Sequence, residues 1–225
     1  MDFIDSFISS INNSLILNNG WLVVLKGLVI TLLITFSALI SGSIIGALLC
    51  FLQLSKITVI RITAKTVIAF LRGSPVLLLL MVFYYVVFAN SRLDAVYIAI
   101  IAFALNSGAH ISEIMRSALL AVDKKQLEAA RMLGFSKIKA FLAITLPQAG
   151  KIARPIYQNA TINLLQWTSV VGYVTITDLT RTVNNIGART GDPFFALFFG
   201  MLIYLGISYL VNFLFTLKSS NKEAK

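Results

Sequence analysis

The sequence predicts an all-α integral membrane protein with five transmembrane helices, its N-terminus outside and its C-terminus in the cytoplasm. Three observations carry this prediction. Of 225 residues, 58% are hydrophobic and only 12% are charged, against about 45–50% and about 25% in an average soluble domain. So little charge cannot cover a water-exposed surface, so the surplus apolar surface must face lipid; the mean hydropathy is +0.86. Apolar stretches of the roughly 20 residues a bilayer crossing needs recur five times along the chain. The Lys and Arg residues also concentrate on alternate connections. Fourteen lie on segments assigned to the inside: Lys56, Arg61, Lys65, Arg116, Lys124, Lys125, Arg131, Lys137, Lys139, Lys151, Arg154, Lys218, Lys222 and Lys225. Three, Arg92, Arg181 and Arg189, lie on segments assigned to the outside, and Lys26 and Arg72 fall within spans.

The first span runs from about Trp21 to Phe51, long enough to tilt or to extend past the bilayer. Ala38, Gly42 and Gly46 repeat at every fourth position on it, a small-residue face suited to close helix packing. The second runs from about Ile62 to Phe88. Pro75 removes a backbone N–H there and should kink the helix. Arg72, three residues earlier, has two outlets: the cytoplasmic face, or a pairing with Glu113. The third span, Asp94 to Met115, places Asn106, His110 and Glu113 on one helix face. The fourth, Pro155 to Thr175, carries a narrow stripe of Asn159, Asn163 and Gln166. The fifth runs from Phe194 to Leu217, and its phenylalanines at 194, 195, 198 and 199 read as lipid-facing or interface residues.

Polar groups at membrane depth are expensive, so they face the bundle interior or a water-filled path. The two polar stripes therefore line a transport path or a second subunit, or they hold the bundle together by interhelical hydrogen bonds. For His110 alone a packing role is the simpler account.

Several functions are excluded. One cysteine, Cys50, allows no internal disulfide or multi-cysteine metal site, and one histidine allows no two-His zinc motif. The net charge of +10 does not imply nucleic acid, because the basic residues are interleaved with spans. No P-loop occurs, so any ATP, with its Mg, must bind to another chain; no cofactor is expected in this one. Met1 to Asn19 holds Asp2 and Asp5 but no Lys or Arg, which argues against a cleaved signal peptide. The whole chain, 1–225, reads as one transmembrane domain with a charged cytoplasmic loop at about 117–154.

That loop is the most informative stretch. Asp123 and Gln126 have capping-box spacing, Leu127 to Leu133 are strong helix formers, and Gly134 supplies a stop. Ser136 can cap a second short helix, expected to end near Thr145 before Pro147. Ala129 and Ala130 keep the first helix slim enough to seat in a partner's groove. Beyond the membrane on the other side, Thr177 to Ile186 followed by Gly187 predicts a capped amphipathic helix on the outer surface.

Glu128-Ala-Ala130, then Gly134, then Ile144-Thr-Leu-Pro147 resembles the EAA loop of the permease subunits of ABC importers. Leu71-Arg-Gly-Ser-Pro75, Asn106 to Arg116, and Thr168-Ser169 resemble motifs of the polar-amino-acid branch of that family. The resemblance covers most of the chain. It implies the type I permease fold and residence in the cytoplasmic (inner) membrane. The implied partners are two ATPase subunits, a second identical or homologous permease subunit, an extracytoplasmic amino-acid-binding protein and membrane lipid. It further implies that Gln126, Glu128, Ala129, Ala130, Gly134, Leu146 and Pro147 form the ATPase-coupling element. Arg72, Asn106, His110, Glu113, Asn159, Asn163, Gln166, Thr168 and Ser169 are the candidate substrate path. Four positions depart from the branch: Lys125 precedes Gln126 in place of glycine, His110 replaces tyrosine, and Gln166-Trp167 replaces a Lys-Asp pair. The last change removes two charges from the candidate path.

An ion-coupled secondary transporter is the alternative in another class. Such a carrier needs membrane-embedded acids, and of nine acidic residues only Glu113 falls plausibly within a span. No inverted repeat is visible either. An intramembrane enzyme fares worse, with no paired-acid or Ser-Lys arrangement on facing spans.

Overall fold

The computed structural model describes residues 11, 12, 14 and 19–223, with side-chain environments as far as Thr216. Asp2 and Asp5, the side chains of Lys218 and Lys222, and Lys225 lie outside the described residues. Among those described, all regular structure is helical. The elements are α1 (Gly20–Gln53), α2 (Thr58–Gly73), α3 (Val76–Val82), α4 (Ala95–Ala121), α5 (Lys124–Met132), α6 (Lys137–Ala140), α7 (Leu146–Trp167), α8 (Leu179–Thr190) and α9 (Pro193–Glu223). A π turn at Phe83–Val87 extends α3, another at Phe141–Thr145 joins α6 to α7, and a 3₁₀ stretch at Thr168–Val174 follows α7.

Length and composition qualify α1, α4 and Pro193–Thr216 of α9 as membrane-crossing helices, with a fourth if α2 and α3 form one broken span. The second apolar stretch does not kink at Pro75; it breaks, α2 ending at Gly73 and α3 starting at Val76. The fourth begins earlier than expected. α7 starts at Leu146 and carries Pro155 inside it rather than ahead of it. Pro147 does not end the preceding helix, because a proline in the first turn gives up an N–H that is unpaired anyway. The π turn before it carries the chain across, Leu146 N–H bonding Phe141 O. Lys151, Arg154, Asn159, Asn163 and Gln166 dilute the apolar character of α7, which explains why it is not among the crossing helices by composition.

The chain divides into two compact units. One comprises the described residues of Met1–Ser37, Val76–Ala102 and Ile162–Lys225; the other comprises Ala38–Pro75 and Phe103–Thr161. In the first, α8 and α9 form a helical hairpin on the start of α1. Val24, Leu179, Val183, Ile186 and Ala196 make its core, with Leu28, Phe199, Ile203 and Tyr204 packed against them. Leu179 N donates to Thr31 Oγ1 at 3.1 Å, fixing the start of α8. The expected stop at Gly187 is absent, since Gly187 lies inside α8. A Cβ there would sit 3.0 Å from Pro193 Cα, so this glycine serves a close approach between helices. Gly191, at φ +71°, ends α8 instead. Phe194 and Phe198 are exposed, while Phe195 and Phe199 turn inward and stack, their centroids 6.1 Å apart.

In the second unit, the small-residue face of α1 packs on α4. A Cβ on Gly46 would lie 2.8 Å from Gly108 O, and one on Gly42 would lie 3.1 Å from Ala104 O. Ser43 and Tyr157 share a hydrogen bond of 2.8 Å, which ties α1 to α7.

Candidate functional site

The charged loop folds as two short capped helices joined at Gly134. Asp123 Oδ1 accepts from Lys125 N at 2.9 Å, and Ser136 Oγ accepts from Lys139 N at 3.2 Å. At the end of α5, Phe135 N donates to Ala130 O and Gly134 N to Arg131 O, with Gly134 at φ +88°. This is the left-handed glycine stop that satisfies orphan carbonyls. The capping box does not close: the Gln126 carboxamide accepts from Gln148 Nε2 instead of turning back to the cap. That bond links α5 to the first turn of α7.

Glu128, Ala129, Leu146 and Pro147 are exposed, and Ala130 is buried. Around the turn, Met132 is 90% exposed, Leu133 80% and Ile138 74%. Three large apolar side chains thus protrude from the most charged segment of the chain, where water would otherwise hydrate them. Exposed apolar clusters rimmed by polar residues mark interaction sites.

Of the candidate path residues, Arg72, Asn106, His110 and Glu113 all belong to the second unit. Asn106 is 2% exposed, and its Nδ2 donates to Leu71 O at 2.8 Å. Pro75 is the residue whose N–H would normally bond that carbonyl, four residues back. The asparagine supplies the donor the proline lacks. Glu113 pairs with Arg116 (Nη2–Oε2, 2.8 Å) and more distantly with Arg72 (3.9 Å). His110 is half-buried between them in sequence. The Arg116 pairing was not anticipated, although its three-residue spacing from Glu113 on one helix face is a legible signal.

On α7, Asn159, Asn163 and Gln166 are all exposed, while Thr161, Leu164 and Leu165 are buried, as is Thr168 at the start of the 3₁₀ stretch. Thr168 Oγ1 turns back to Leu165 O at 2.6 Å, so its hydroxyl is occupied within the helix. Ser169 behaves differently. It lines a cavity of about 390 Å³ with Gly172, Tyr173, Thr180, Arg181 and Asn184. Asp178 caps α8 beneath this cavity, accepting from Thr180 N and Arg181 N at 3.0 Å each. Burial pushes the Asp178 carboxyl above its ordinary value, opposed by those two N–H bonds. Sequence patterning places Arg181 and Asn184 on the outer amphipathic helix but does not bring them beside Ser169, because the turn between Val174 and Leu179 that does so has no periodic signal. Among the described residues no group of His, Cys, Asp and Glu is arranged to hold a metal.

A family model described as "Binding-protein-dependent transport system inner membrane component" matches residues 42–220. The chain is similar to the probable amino-acid ABC transporter permease protein YckA of Bacillus subtilis, 37% identical over 185 residues, 82% of each chain. It is similar also to the L-cystine transport system permease protein TcyB of the same organism, 31% identical over 200 residues, 88% of this chain and 86% of that one. Among solved structures, the crystal structure of an amino acid ABC transporter with histidines superposes with a TM-score of 0.82 at 28% identity, covering 98% of this chain and 99% of that one.

Proposed function

The chain belongs to the family of binding-protein-dependent transport system inner membrane components, and on that footing we propose how it couples to its ATPase and what it carries. It is a multi-pass inner-membrane subunit of an ATP-driven amino-acid importer, and ATP hydrolysis lies in partner subunits. The ion-coupled alternative finds no counterpart among the relatives.

The complex contains two ATPase subunits, a second identical or homologous permease chain and an extracytoplasmic amino-acid-binding protein. The chain crosses the membrane five times with its N-terminus outside; α7 is the fourth crossing, its polar stripe facing the interior of the assembly rather than lipid. α5 and α6 are the coupling element. The observation that carries this assignment is the exposed apolar tip of Met132, Leu133 and Ile138 around the Gly134 turn. Those side chains seat in the ATPase, Glu128 anchors the dock by charge, and the Gln126–Gln148 bond carries motion of the loop into α7.

The test uses the assembled complex with Gly134→Val and Glu128→Lys. A β-branched residue is costly at φ +88°, although nothing lies within 4 Å of the added Cβ. The expected result is membrane insertion as in wild type, with uptake reduced at least tenfold. Normal uptake with normal ATPase association in either variant would refute the assignment.

The substrate is a polar amino acid without a charged side chain, such as glutamine. Asn159, Asn163 and Gln166 offer neutral groups, and the Glu113 charge is outweighed by Arg116 and Arg72, which leaves no unpaired acid to attract a cationic side chain. A cationic side chain entering such a path would lose its hydration without a partner.

A further inference from the structure

The cavity beside Ser169 has no part in the coupling element, and its chemistry is specific. Arg181 Nη1 donates to Gly172 O at 3.0 Å. That bond fixes the guanidinium plane and uses one of its five N–H donors. No carboxylate lies within ion-pair distance of Arg181 among the described residues. Asp178, the acid closest in sequence, is fully buried and turned to the backbone of Thr180 and Arg181. The other polar lining groups are the Ser169 and Thr180 hydroxyls and the Asn184 amide. The wall is braced from the π turn after α3: Tyr85 Oη donates to Tyr173 O at 3.1 Å. The cavity thus combines one fixed cation, neutral hydrogen-bonding groups and no acid. Its volume of about 390 Å³ falls within the roughly 300–1,000 Å³ of small-molecule sites.

We propose that this cavity is an entry site that binds the α-carboxylate of the transported amino acid through Arg181. A planar guanidinium matches a carboxylate in a two-pronged contact. Ser169 and Asn184 take the remaining polar atoms. With α8 on the outer side, as the proposed five-crossing topology places it, the site receives the amino acid before it reaches the polar face of α7. The assignment rests on the importer reading and adds its carboxylate contact.

The experiment uses the complete transporter in nanodiscs. Wild type is first screened for ATP-dependent uptake of the twenty amino acids with the binding protein present. The one taken up is then measured for direct binding without the binding protein, alongside its α-carboxamide, which lacks the carboxylate charge. Wild type should bind the amino acid and discriminate against the amide. Arg181→Gln should weaken binding by about tenfold to a hundredfold, the loss expected for a charge-assisted contact, and should abolish that discrimination. Arg181→Lys should restore part of it, which separates a lost charge from a collapsed fold. Arg189→Gln, an exposed charge on the last turn of α8, should bind as wild type. Equal binding of acid and amide by wild type would overturn the assignment. So would unchanged binding in Arg181→Gln, including the case where that variant loses only affinity for the binding protein, which would make Arg181 a protein contact. Absence of uptake for all twenty would instead sink the importer reading.

Discussion

Pro75 and Asn106 are 31 positions apart, yet each accounts for the other. The proline ends α2 by withholding the N–H that Leu71 O would accept, and Asn106 Nδ2 fills the vacancy from α4 at 2.8 Å. Leu71 is 7% exposed, so its carbonyl has little access to water and a lost donor is felt in full. Removing one partner of such a pair costs about 1–3 kcal/mol. Asn106→Leu should therefore lower the unfolding temperature of the detergent-solubilised protein. The same substitution in a Pro75→Ala background should cost less, because the alanine N–H restores a donor. If the two effects simply add, the asparagine has another task. The Asn106–His110–Glu113 face was read from spacing as one stripe. The structure distributes its members among a backbone patch, a half-buried imidazole and an ion pair. Spacing reveals which residues share a face, but not which carbonyl across the interface lacks a donor.

Between elements, the same limit and its reverse are visible. Close packing on one face of α1, though not its partner α4, is legible because small residues at four-residue spacing have few other uses in a long apolar helix. Gly46 meets Gly108 O and Ile111, and a methyl group would lie 2.8 Å from that backbone oxygen. Backbone cannot step aside, so Gly46→Ala should cost about 1–3 kcal/mol as overpacking. Gly206, on α9, has nothing within 4 Å, and Gly206→Ala should leave stability unchanged. Comparison of the two variants by thermal unfolding decides whether the glycines matter as spacers or only as flexible points. The two short helices of the charged loop are equally legible, since caps and a glycine stop act within a few residues of each other. What escaped was anything set by a register change. The π turn before Pro147 moved the start of α7 back to Leu146, and the close approach at Gly187 moved the end of α8 on to Thr190. Both depend on packing that no local pattern encodes.

At the scale of the whole chain, the open quantity is the number of crossings, because α7 does not look like a span by itself. Its apolar content falls short where Lys151, Arg154 and the Asn159–Asn163–Gln166 stripe interrupt it. A helix with an exposed polar stripe crosses a bilayer only if that stripe is turned from lipid, and the proposed second permease chain provides the place to turn it. The distribution of Lys and Arg is compatible with the crossing. Without it, Arg181 and Arg189 would move inside and Lys218, Lys222 and Lys225 outside, a split of 13 to 4 in place of 14 to 3, so the bias agrees with the crossing and the decision falls to experiment. Two tags decide parity: an odd number of crossings puts the N- and C-termini on opposite faces, an even number on the same face. Single cysteines locate the crossing. Cys50 is buried, so a Cys50→Ser background is tractable, and Lys124 and Asn185 are both exposed. In right-side-out vesicles a membrane-impermeant maleimide should label Asn185→Cys and spare Lys124→Cys; inside-out vesicles should reverse the pattern. Labelling of both from one face would mean that α7 does not cross. It would then remove the outer position of the Arg181 cavity together with the five-span topology.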